Sequence, residues 1–320
     1  MYDVIIVGGG PAGLSAAITM GRGLRPTLLL DAGEPRNANA AAMHNFISRD
    51  GFPPAELRRL AREEISRYPT VEVRDQAVVG AESRPDGAFE VRLADGRVER
   101  ARRMLLATGL VDELPSILGL APMWGRSVLH CPYCHGFEVR NTLLAVLGAT
   151  PHAVNLALHL KRFSDDVVLC TNGPADLDVE TRALLDEQGV AVCQEPVVRL
   201  EGRDGDLERI VFAAGEPLLR QAMFCFSQPR QGSELPAQLG CFLLEEGSVE
   251  VDDFGQTSVR GVYAVGDMAR RRTFPVPAAI IAAAASGTFT GAVIDKDLLA
   301  TDLGLPHPLL AAAGAGGRAT

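Results

Sequence analysis

Residues 3–13 read DVIIVGGGPAG, a short apolar run that passes directly into closely spaced glycines. The run at 3–7 predicts a buried strand, and the apolar spacing from residue 14 to about 21 predicts a helix. A second apolar run at 27–30 predicts a parallel strand that ends at Asp31. The segment is therefore a βαβ unit with a glycine-rich first turn.

The glycine spacing of this turn indicates a dinucleotide site, because each glycine has a physical role. Gly8 permits the tight turn, Gly10 lets the backbone approach a pyrophosphate, and Gly13 lets the helix lie against the strand. The helix N-terminus offers free N–H groups to the phosphates, and Asp31 can accept hydrogen bonds from a ribose. The residues assigned to the cofactor on this basis are Gly8, Gly10, Pro11, Ala12, Gly13 and Asp31.

Composition excludes several other classes of partner. The 320 residues carry 31 Lys and Arg against 40 Asp and Glu, a formal net charge of −9. Nucleic acids and anionic membranes require clustered positive charge, and the basic run at 270–272 is short. No basic leader precedes the first strand and no apolar stretch is long enough to span a bilayer. We expect a cytoplasmic protein with no nucleic-acid or membrane partner.

The rest of the chain repeats the opening unit. A strand at 143–147, a turn at Gly148, a helix at 151–163 and a strand at 167–170 predict a second βαβ-like unit. Between the two units, a buried strand is predicted at 104–109. A small antiparallel meander is predicted from strands at 71–73, 78–81, 89–93 and 98–100.

The stretch at 130–138 reads HCPYCHGFE, and four interpretations of its cysteines compete. Structural zinc needs a second ligand pair, which the spacing does not offer. Haem attachment fits C-x-x-C-H but belongs to exported proteins. Two inert core cysteines are disfavoured by the flanking histidines and proline. We favour a redox-active dithiol of Cys131 and Cys134, with no metal, in which His135 or His130 carries the proton.

The four remaining cysteines are scattered in apolar surroundings. In a reducing cytoplasm they are expected to be buried small hydrophobes. They are Cys170, Cys193, Cys225 and Cys241.

Four motifs together resemble the low-molecular-weight thioredoxin reductases. They are VGGGPAG at 7–13, LATG at 106–109, the CxxC pair, and GVYAVGD at 261–267, in that family's order and spacing. The resemblance implies an α/β fold of two Rossmann-like nucleotide-binding domains, each a three-layer ββα arrangement. Residues 1–116 and 247–320 would form the FAD-binding domain, and 117–246 a central NAD(P)-type domain carrying the cysteines. It also implies a homodimer.

The same resemblance implies roles for individual residues. Asp267, after Gly266, would hold the flavin ribityl chain. Cys134 would face the flavin, and Cys131 would be the interchange thiol open to substrate. The remaining residues implied to contact FAD are Asn45, which would approach the isoalloxazine, Ala77, Thr108, Gly109 and Ile281.

The sequence departs from that family at four places. His135 replaces an acid after the second cysteine, and Thr150 stands where the second glycine loop must approach a pyrophosphate. The segment at 170–176 lacks an arginine for a 2′-phosphate. The changes at Thr150 and at 170–176 predict a central domain that is degenerate for NADPH. Apolar residues at 280–282, preceded by those at 274–277, replace a polar stretch near the flavin, which suits either a small hydrophobic substrate or ordinary core packing.

These departures match a branch of the family, the dithiol oxidases of natural-product biosynthesis. CPYCHGFE resembles the active-site signature of the enzymes that close the disulfide of holomycin-like or gliotoxin-like compounds. The resemblance implies an FAD-dependent enzyme that oxidises a small-molecule dithiol, with a dithiolopyrrolone favoured. Molecular oxygen would be the acceptor and hydrogen peroxide the product.

Three alternatives to this function remain open on the sequence. The first is an NADPH-dependent thioredoxin reductase, which runs in the opposite direction. The second is a dithiol oxidase that uses NADP⁺ as acceptor. The third is a flavin-bound redox sensor that does not turn over.

Overall fold

The computed structural model describes residues 1–272 and 278–306. The apolar residues at 274–277, expected near the flavin, lie outside this part of the chain. Within the described residues, no helix combines the length and the apolar character that crossing a membrane requires.

Strands and helices alternate through most of the chain. The helices are α1 (Pro11–Arg22), α2 (Pro54–Ile65), α3 (Pro132–His135), α4 (Pro151–Leu160), α5 (Val179–Glu187), α6 (Leu235–Gln238) and α7 (Ile280–Leu303). The first strands are β1 (Tyr2–Val7), β2 (Thr27–Asp31), β3 (Val71–Asp75), β4 (Val78–Ser83), β5 (Phe89–Leu93), β6 (Val98–Leu106) and β7 (Leu110–Glu113). The middle strands are β8 (Val128–Leu129), β9 (Leu144–Leu147), β10 (Val167–Cys170), β11 (Val190–Cys193), β12 (Val197–Arg203), β13 (Asp206–Phe212), β14 (Leu218–Leu219) and β15 (Ala222–Cys225). The last strands are β16 (Gln228–Gln231), β17 (Val249–Glu250), β18 (Val262–Ala264) and β19 (Ala269–Arg270).

The chain forms two compact units. Unit 1 comprises Met1–Ala38, Ala55–Val111 and Arg230–Thr320, and unit 2 comprises Asn39–Pro54 and Asp112–Pro229. These limits differ from the expected boundaries at 116/117 and 246/247 for two reasons. The 39–54 segment bonds to the helix that carries the cysteines, and α6 packs Leu235 into the core of unit 1.

Unit 1 is built on a parallel sheet of order β3-β2-β1-β6, with β18 also pairing parallel to β6. Alternate residues of β1 face opposite sides of this sheet. Ile5 and Val7 belong to a core shared with β4, β5 and β6, whereas Val4 and Ile6 belong to a core shared with α1 and α7. The antiparallel strands, the parallel sheet and the helices are thus three layers, as predicted.

Unit 2 repeats the same layering. Its parallel sheet has the order β11-β10-β9-β15-β8, and β12, β13 and β14 form a separate antiparallel sheet. Leu144 and Val146 of β9 pack in a core with α4, while Ala145 and Leu147 pack in a core with β12 and β13. The second βαβ-like unit predicted from the sequence therefore supplies the centre of this sheet.

Two details of the predicted meander are wrong. The strand at 71–73 is part of β3, which pairs parallel to β2 rather than antiparallel to its successor. Helix α2 precedes it, and a helical crossover returns the chain in the same direction. The separate strands predicted at 98–100 and 104–109 are one strand, β6, which pairs first with β5 and then with β1.

Candidate functional site

The first glycine turn requires glycine at both of its ends. Gly8 has a φ of +112°, and a side chain there would overlap the Ala107 carbonyl. A methyl group on Gly13 would overlap the Gly8 carbonyl oxygen, so α1 can lie this close to the turn only with glycine at position 13. These are the roles predicted from the spacing.

The start of α1 is open toward the space where a phosphate would bind. Gly10 is the N-cap residue, no side chain caps the helix, and Pro11 occupies the first turn. A Cβ built on Gly10 meets no atom within 4 Å. Backbone N–H groups and the positive end of the helix dipole are therefore available to an anion.

Asp31 ends β2, as predicted, and its carboxylate is already partly engaged. Oδ2 accepts a hydrogen bond from Nη2 of Arg62 at 2.5 Å, and Oδ1 accepts one from the Gly33 N–H at 3.2 Å. A carboxylate can accept about four hydrogen bonds, so capacity remains for a ribose hydroxyl. Nothing in the sequence singles out Arg62, because α2 carries several arginines and their orientation depends on packing.

The C-terminal Gly-Asp motif lies beside the first turn within unit 1. Gly266 (φ +77°) lies so close to Ala12 that a Cβ on it would be 3.1 Å from the Ala12 methyl. Its N–H donates to Oγ of Ser286 at 3.1 Å. Asp267 forms an ion pair with Arg36 at 3.0 Å. The structure therefore brings these two motifs together, although they are more than 250 residues apart.

The LATG motif continues directly from β6. The Thr108 hydroxyl donates to the sulfur of Met268 at 3.3 Å, and Gly109 (φ +65°) has open space where a side chain would extend. The open positions at Gly10 and Gly109 and the unbonded end of α1 fit a dinucleotide such as FAD.

The other residues expected to contact FAD are divided between the units. Ala77 lies between β3 and β4, and Ile281 lies in the first turn of α7 with 39% of its surface exposed. Asn45 belongs to the 39–54 segment of unit 2, where its Nδ2 donates to the Tyr133 carbonyl at 2.7 Å.

Cys131 and Cys134 are joined by a disulfide, with their Cα atoms 5.2 Å apart. Cys131 is the N-cap residue of the one-turn helix α3, Pro132 fills the first helical position, and Cys134 follows on the same turn. Both cysteines are half-buried. This short turn brings the two sulfurs into one ring, as a redox-active pair requires.

His135 ends α3 and is the better placed of the two candidate bases. Its Nδ1 atom is buried and has no hydrogen-bond partner among the residues described. Burial lowers the pKa of His135, and the nearby His130 and His44 lower it further, whereas Glu138 raises it. A neutral imidazole with a free ring nitrogen can accept a proton from a thiol. His130 is exposed and stacks on Trp124, with ring centroids 5.5 Å apart.

His44, Asp50 and Glu138 form a group beside α3 that was not predicted from the sequence. Nε2 of His44 lies 3.5 Å from Oε1 of Glu138, and its Nδ1 lies 3.5 Å from Oδ1 of Asp50. The Asn45 N–H donates to the same Asp50 oxygen at 2.8 Å. Glu138 belongs to the quoted motif, but His44 and Asp50 are about 90 residues upstream in a segment without periodicity.

The second glycine turn is closed by its own side chains. Thr150 is the N-cap residue of α4, and its Oγ1 accepts the Ala153 N–H at 3.3 Å. Pro151 supplies no N–H at the first helical position. After β10, the Thr171 hydroxyl donates to the Gly173 carbonyl at 2.6 Å. The Ala153 N–H and the Thr171 hydroxyl, two groups that could face a second nucleotide, are thus bonded within the chain.

Three of the four remaining cysteines are buried, as predicted, and one is not. Burial raises the pKa of the Cys170 and Cys225 thiols to about 12 and also raises that of Cys241. These thiols are unreactive at neutral pH. Cys193 is only half-buried at the end of β11, so the prediction is wrong there. Among the described residues, no three His, Cys, Asp or Glu side chains form a group that could hold a metal ion.

Comparisons with known proteins agree with this arrangement. Residues 2–287 match the family described as pyridine nucleotide-disulphide oxidoreductase. Thioredoxin reductase tcpT of Claviceps purpurea is 34% identical over 280 residues, which cover 83% of this chain and 86% of that protein. The solved structure of HlmI is 36% identical with a TM-score of 0.87, covering 98% of this chain and 97% of that chain. An oxidoreductase from Agrobacterium tumefaciens is 36% identical with a TM-score of 0.85, covering 93% and 98%. The chain therefore belongs to the pyridine nucleotide-disulphide oxidoreductases, as an FAD-binding enzyme of the thioredoxin reductase type that acts on sulfur groups.

Proposed function

We propose that this protein is an FAD-dependent dithiol oxidase that closes an intramolecular disulfide in a small natural product. The observation that carries the proposal is the disulfide turn of Cys131 and Cys134 followed by His135, whose buried Nδ1 has no partner among the described residues. An oxidised cysteine pair beside a neutral base is poised to take electrons and protons from a dithiol.

The reaction at the cysteines consists of two thiol–disulfide exchanges. The first substrate thiolate attacks Sγ of Cys131, which breaks the Cys131–Cys134 bond and releases the Cys134 thiolate. The second substrate thiolate attacks the substrate sulfur of the mixed disulfide, which forms the product disulfide and releases the Cys131 thiolate. The substrate is oxidised by two electrons and the cysteine pair is reduced by two. His135 accepts a thiol proton, and His130 assists it.

The residues that would hold FAD are those of the first turn and the motifs beside it. The pyrophosphate would lie against the N-terminus of α1, with Asp31 on the ribose and Asp267 on the ribityl chain. Bound FAD supplies a two-electron acceptor whose reoxidation by molecular oxygen yields hydrogen peroxide. The full set is Gly8, Gly10, Pro11, Ala12, Gly13, Asp31, Asn45, Ala77, Thr108, Gly109, Gly266, Asp267 and Ile281.

Oxygen is proposed as the acceptor because two polar groups, one at the second glycine turn and one after β10, already bond within the chain. Thr150 caps α4 and the Thr171 hydroxyl bonds to its own loop, so a nicotinamide dinucleotide would have to displace both interactions. Displacing such bonds costs about 1 kcal/mol each. An enzyme that reduces thioredoxin with NADPH, or that uses NADP⁺ as acceptor, would have to break these hydrogen bonds to bind the nucleotide.

A holomycin-like dithiolopyrrolone is the proposed substrate class. The CPYCHGFE signature supports it, as does the 36% identity with HlmI over nearly the whole of both chains. Tyr133 and Phe137, on either side of the second cysteine, are 72% and 64% exposed and could contact a flat heterocycle. We further propose that the enzyme is a cytoplasmic homodimer that acts in antibiotic biosynthesis.

The test is aerobic incubation of the flavin-loaded enzyme with a reduced dithiolopyrrolone and no nicotinamide. We expect one hydrogen peroxide for each disulfide formed. Product that forms only when NADP⁺ is added, or no turnover with any small dithiol, would contradict the proposal. Reduction of thioredoxin by the enzyme with NADPH would favour the reverse reaction instead.

A further inference from the structure

The 43–52 segment is attached to the disulfide helix at two points. Nδ2 of Asn45 donates to the Tyr133 carbonyl, which lies between the two cysteines, and His44 faces Glu138 just beyond them. Helix α3 ends after a single turn, so this carbonyl needs a donor from elsewhere. The segment thus fixes the backbone that holds the disulfide.

His44 lies between two carboxylates. Asp50 is 3.5 Å from its Nδ1 and Glu138 is 3.5 Å from its Nε2, and the ring is only 15% exposed. Asp50 is held by the Asn45 N–H, and the Met43 N–H bonds to the Phe52 carbonyl at 2.9 Å, which closes the loop. Each ring nitrogen of His44 thus faces a carboxylate.

The titratable groups that act on His135 come from three places. His130 precedes the disulfide, Glu138 follows α3, and His44 approaches from the 43–52 segment with Asp50 behind it. From α4, His159 packs against the Tyr133 ring instead, at 5.2 Å between centroids. The Arg140 guanidinium lies over the Phe137 ring, 3.9 Å from its centroid. Among these groups, the Glu138 carboxylate favours the protonated form of His135, and the two imidazoles oppose it.

We propose that Glu138 is a positioning residue for the dithiol reaction. It holds His44 on the disulfide turn and balances the positive charge of His135 when that imidazole accepts the substrate's proton. The inference rests on the proposed role of His135 as the proton acceptor. Nothing in the FAD-binding motifs is needed for it.

Glu138 raises the pKa of His135 and His44 lowers it, so replacing each of them should shift that pKa in opposite directions. Glu138→Gln removes the charge that favours protonation, so the pKa of His135 should fall. His44→Gln removes an opposing imidazole, so the pKa of His135 should rise. Simple loosening of the segment would admit water and raise the pKa of His135 in both variants.

The experiment is an NMR titration of ¹⁵N-histidine-labelled protein, with His135 assigned by the signals lost in His135→Gln. Glu180→Gln, on the exposed face of α5, is the matched control and should leave the titration unchanged. In a second readout, the acid limb of anaerobic flavin reduction by dithiothreitol should move to lower pH in Glu138→Gln and to higher pH in His44→Gln.

An unchanged or raised pKa of His135 in Glu138→Gln would overturn the inference. If the Glu138→Gln protein does not fold, Glu138→Ala is used in its place, because it removes the same charge. The NMR titration uses no natural-product substrate and no oxygen. The NMR result therefore does not depend on whether the enzyme oxidises a natural-product dithiol with oxygen. A wrong inference about Glu138 and a wrong proposed function can thus be distinguished.

Discussion

The glycine turns at 8–13 and 148–153 occupy the same place in their βαβ units, after a buried strand and before a helix that begins with proline. They differ at the third position. Gly10 leaves the start of α1 uncapped and faces open space, whereas Thr150 caps α4 with its own hydroxyl. The α1 N-terminus therefore has no side-chain cap, whereas one N–H at the α4 N-terminus is bonded to the Thr150 hydroxyl.

The strands that follow the two helices differ in the same sense. β2 ends at Asp31, a carboxylate with capacity for further hydrogen bonds. β10 is followed by Thr171, which is buried and bonded to Gly173. A βαβ unit can thus keep its strands and helix while polar groups at its nucleotide-facing end hydrogen-bond within the chain. This difference is the basis of the proposal that FAD binds at the first turn and no nucleotide at the second.

The largest effect is expected at the cysteines, because a closed second turn leaves them as the entry point for electrons. Cys131→Ser and Cys134→Ser should each lower dithiol oxidation on the order of 10³-fold or more, since neither can form the disulfide. Peroxide release measures this loss, and the flavin absorbance should stay at the wild-type level. Retained dithiol oxidation in either variant would show that electrons do not pass through the cysteines. Binding of a nucleotide at the second turn would then have to be reconsidered.

The next effect is expected at the third position of the first turn. Gly10 has a φ of −77° and a ψ of −179°, which any residue can adopt, so Gly10→Val should fold. Its side chain would fill the space needed by a pyrophosphate and weaken FAD binding about 100-fold, or about 2.8 kcal/mol. The fraction of flavin that stays bound through gel filtration measures this loss of affinity. Thr150→Ala in the second turn should retain full flavin, and equal losses in both variants would break the comparison.

A smaller effect is expected at the acid that ends β2. Asp31→Ala removes an acceptor for the ribose and should weaken FAD binding about tenfold, equivalent to 1.4 kcal/mol. Equilibrium titration of the apoprotein with FAD measures the change. Thr171→Ala is the corresponding variant of unit 2 and should leave FAD affinity unchanged. An equal loss of FAD affinity in both variants would show that the effect is not specific to the end of β2.

The smallest effect is expected at the cap of α4. Thr150→Ala removes an N-cap acceptor and should lower the free energy of unfolding by about 1 kcal/mol. Urea denaturation measures this change. An unchanged free energy of unfolding in Thr150→Ala would show that the threonine hydroxyl does not stabilise α4.

The features that sequence predicted best are local and repeated. The glycine turns and the two βαβ units follow from residues within about 30 positions of each other, and the φ of Gly8 and the close approach of Gly13 agree with their spacing. The direction of β3 did not follow from local pattern, since Val71 and Val73 suit either kind of sheet and α2 decides the crossover. The resemblance correctly identified the family from four motifs.

Contacts between distant segments could not be predicted in the same way. Arg62 beside Asp31, Arg36 beside Asp267, and His44 beside Glu138 each depend on how separate elements pack. Asn45 was expected near the flavin, and its amide bonds to the backbone of the cysteine helix. Its φ of +61° is tolerated by asparagine, but nothing nearby in the sequence identifies its partner.

The most direct test mixes the oxidised, flavin-loaded enzyme anaerobically with one equivalent of NADPH, and in a parallel sample with one equivalent of a small dithiol. The account predicts that the dithiol bleaches the visible flavin band within the turnover time, and that NADPH leaves it unchanged. Rapid stoichiometric bleaching by NADPH would contradict the central claim, because electrons would then enter through the turn that Thr150 is held to close.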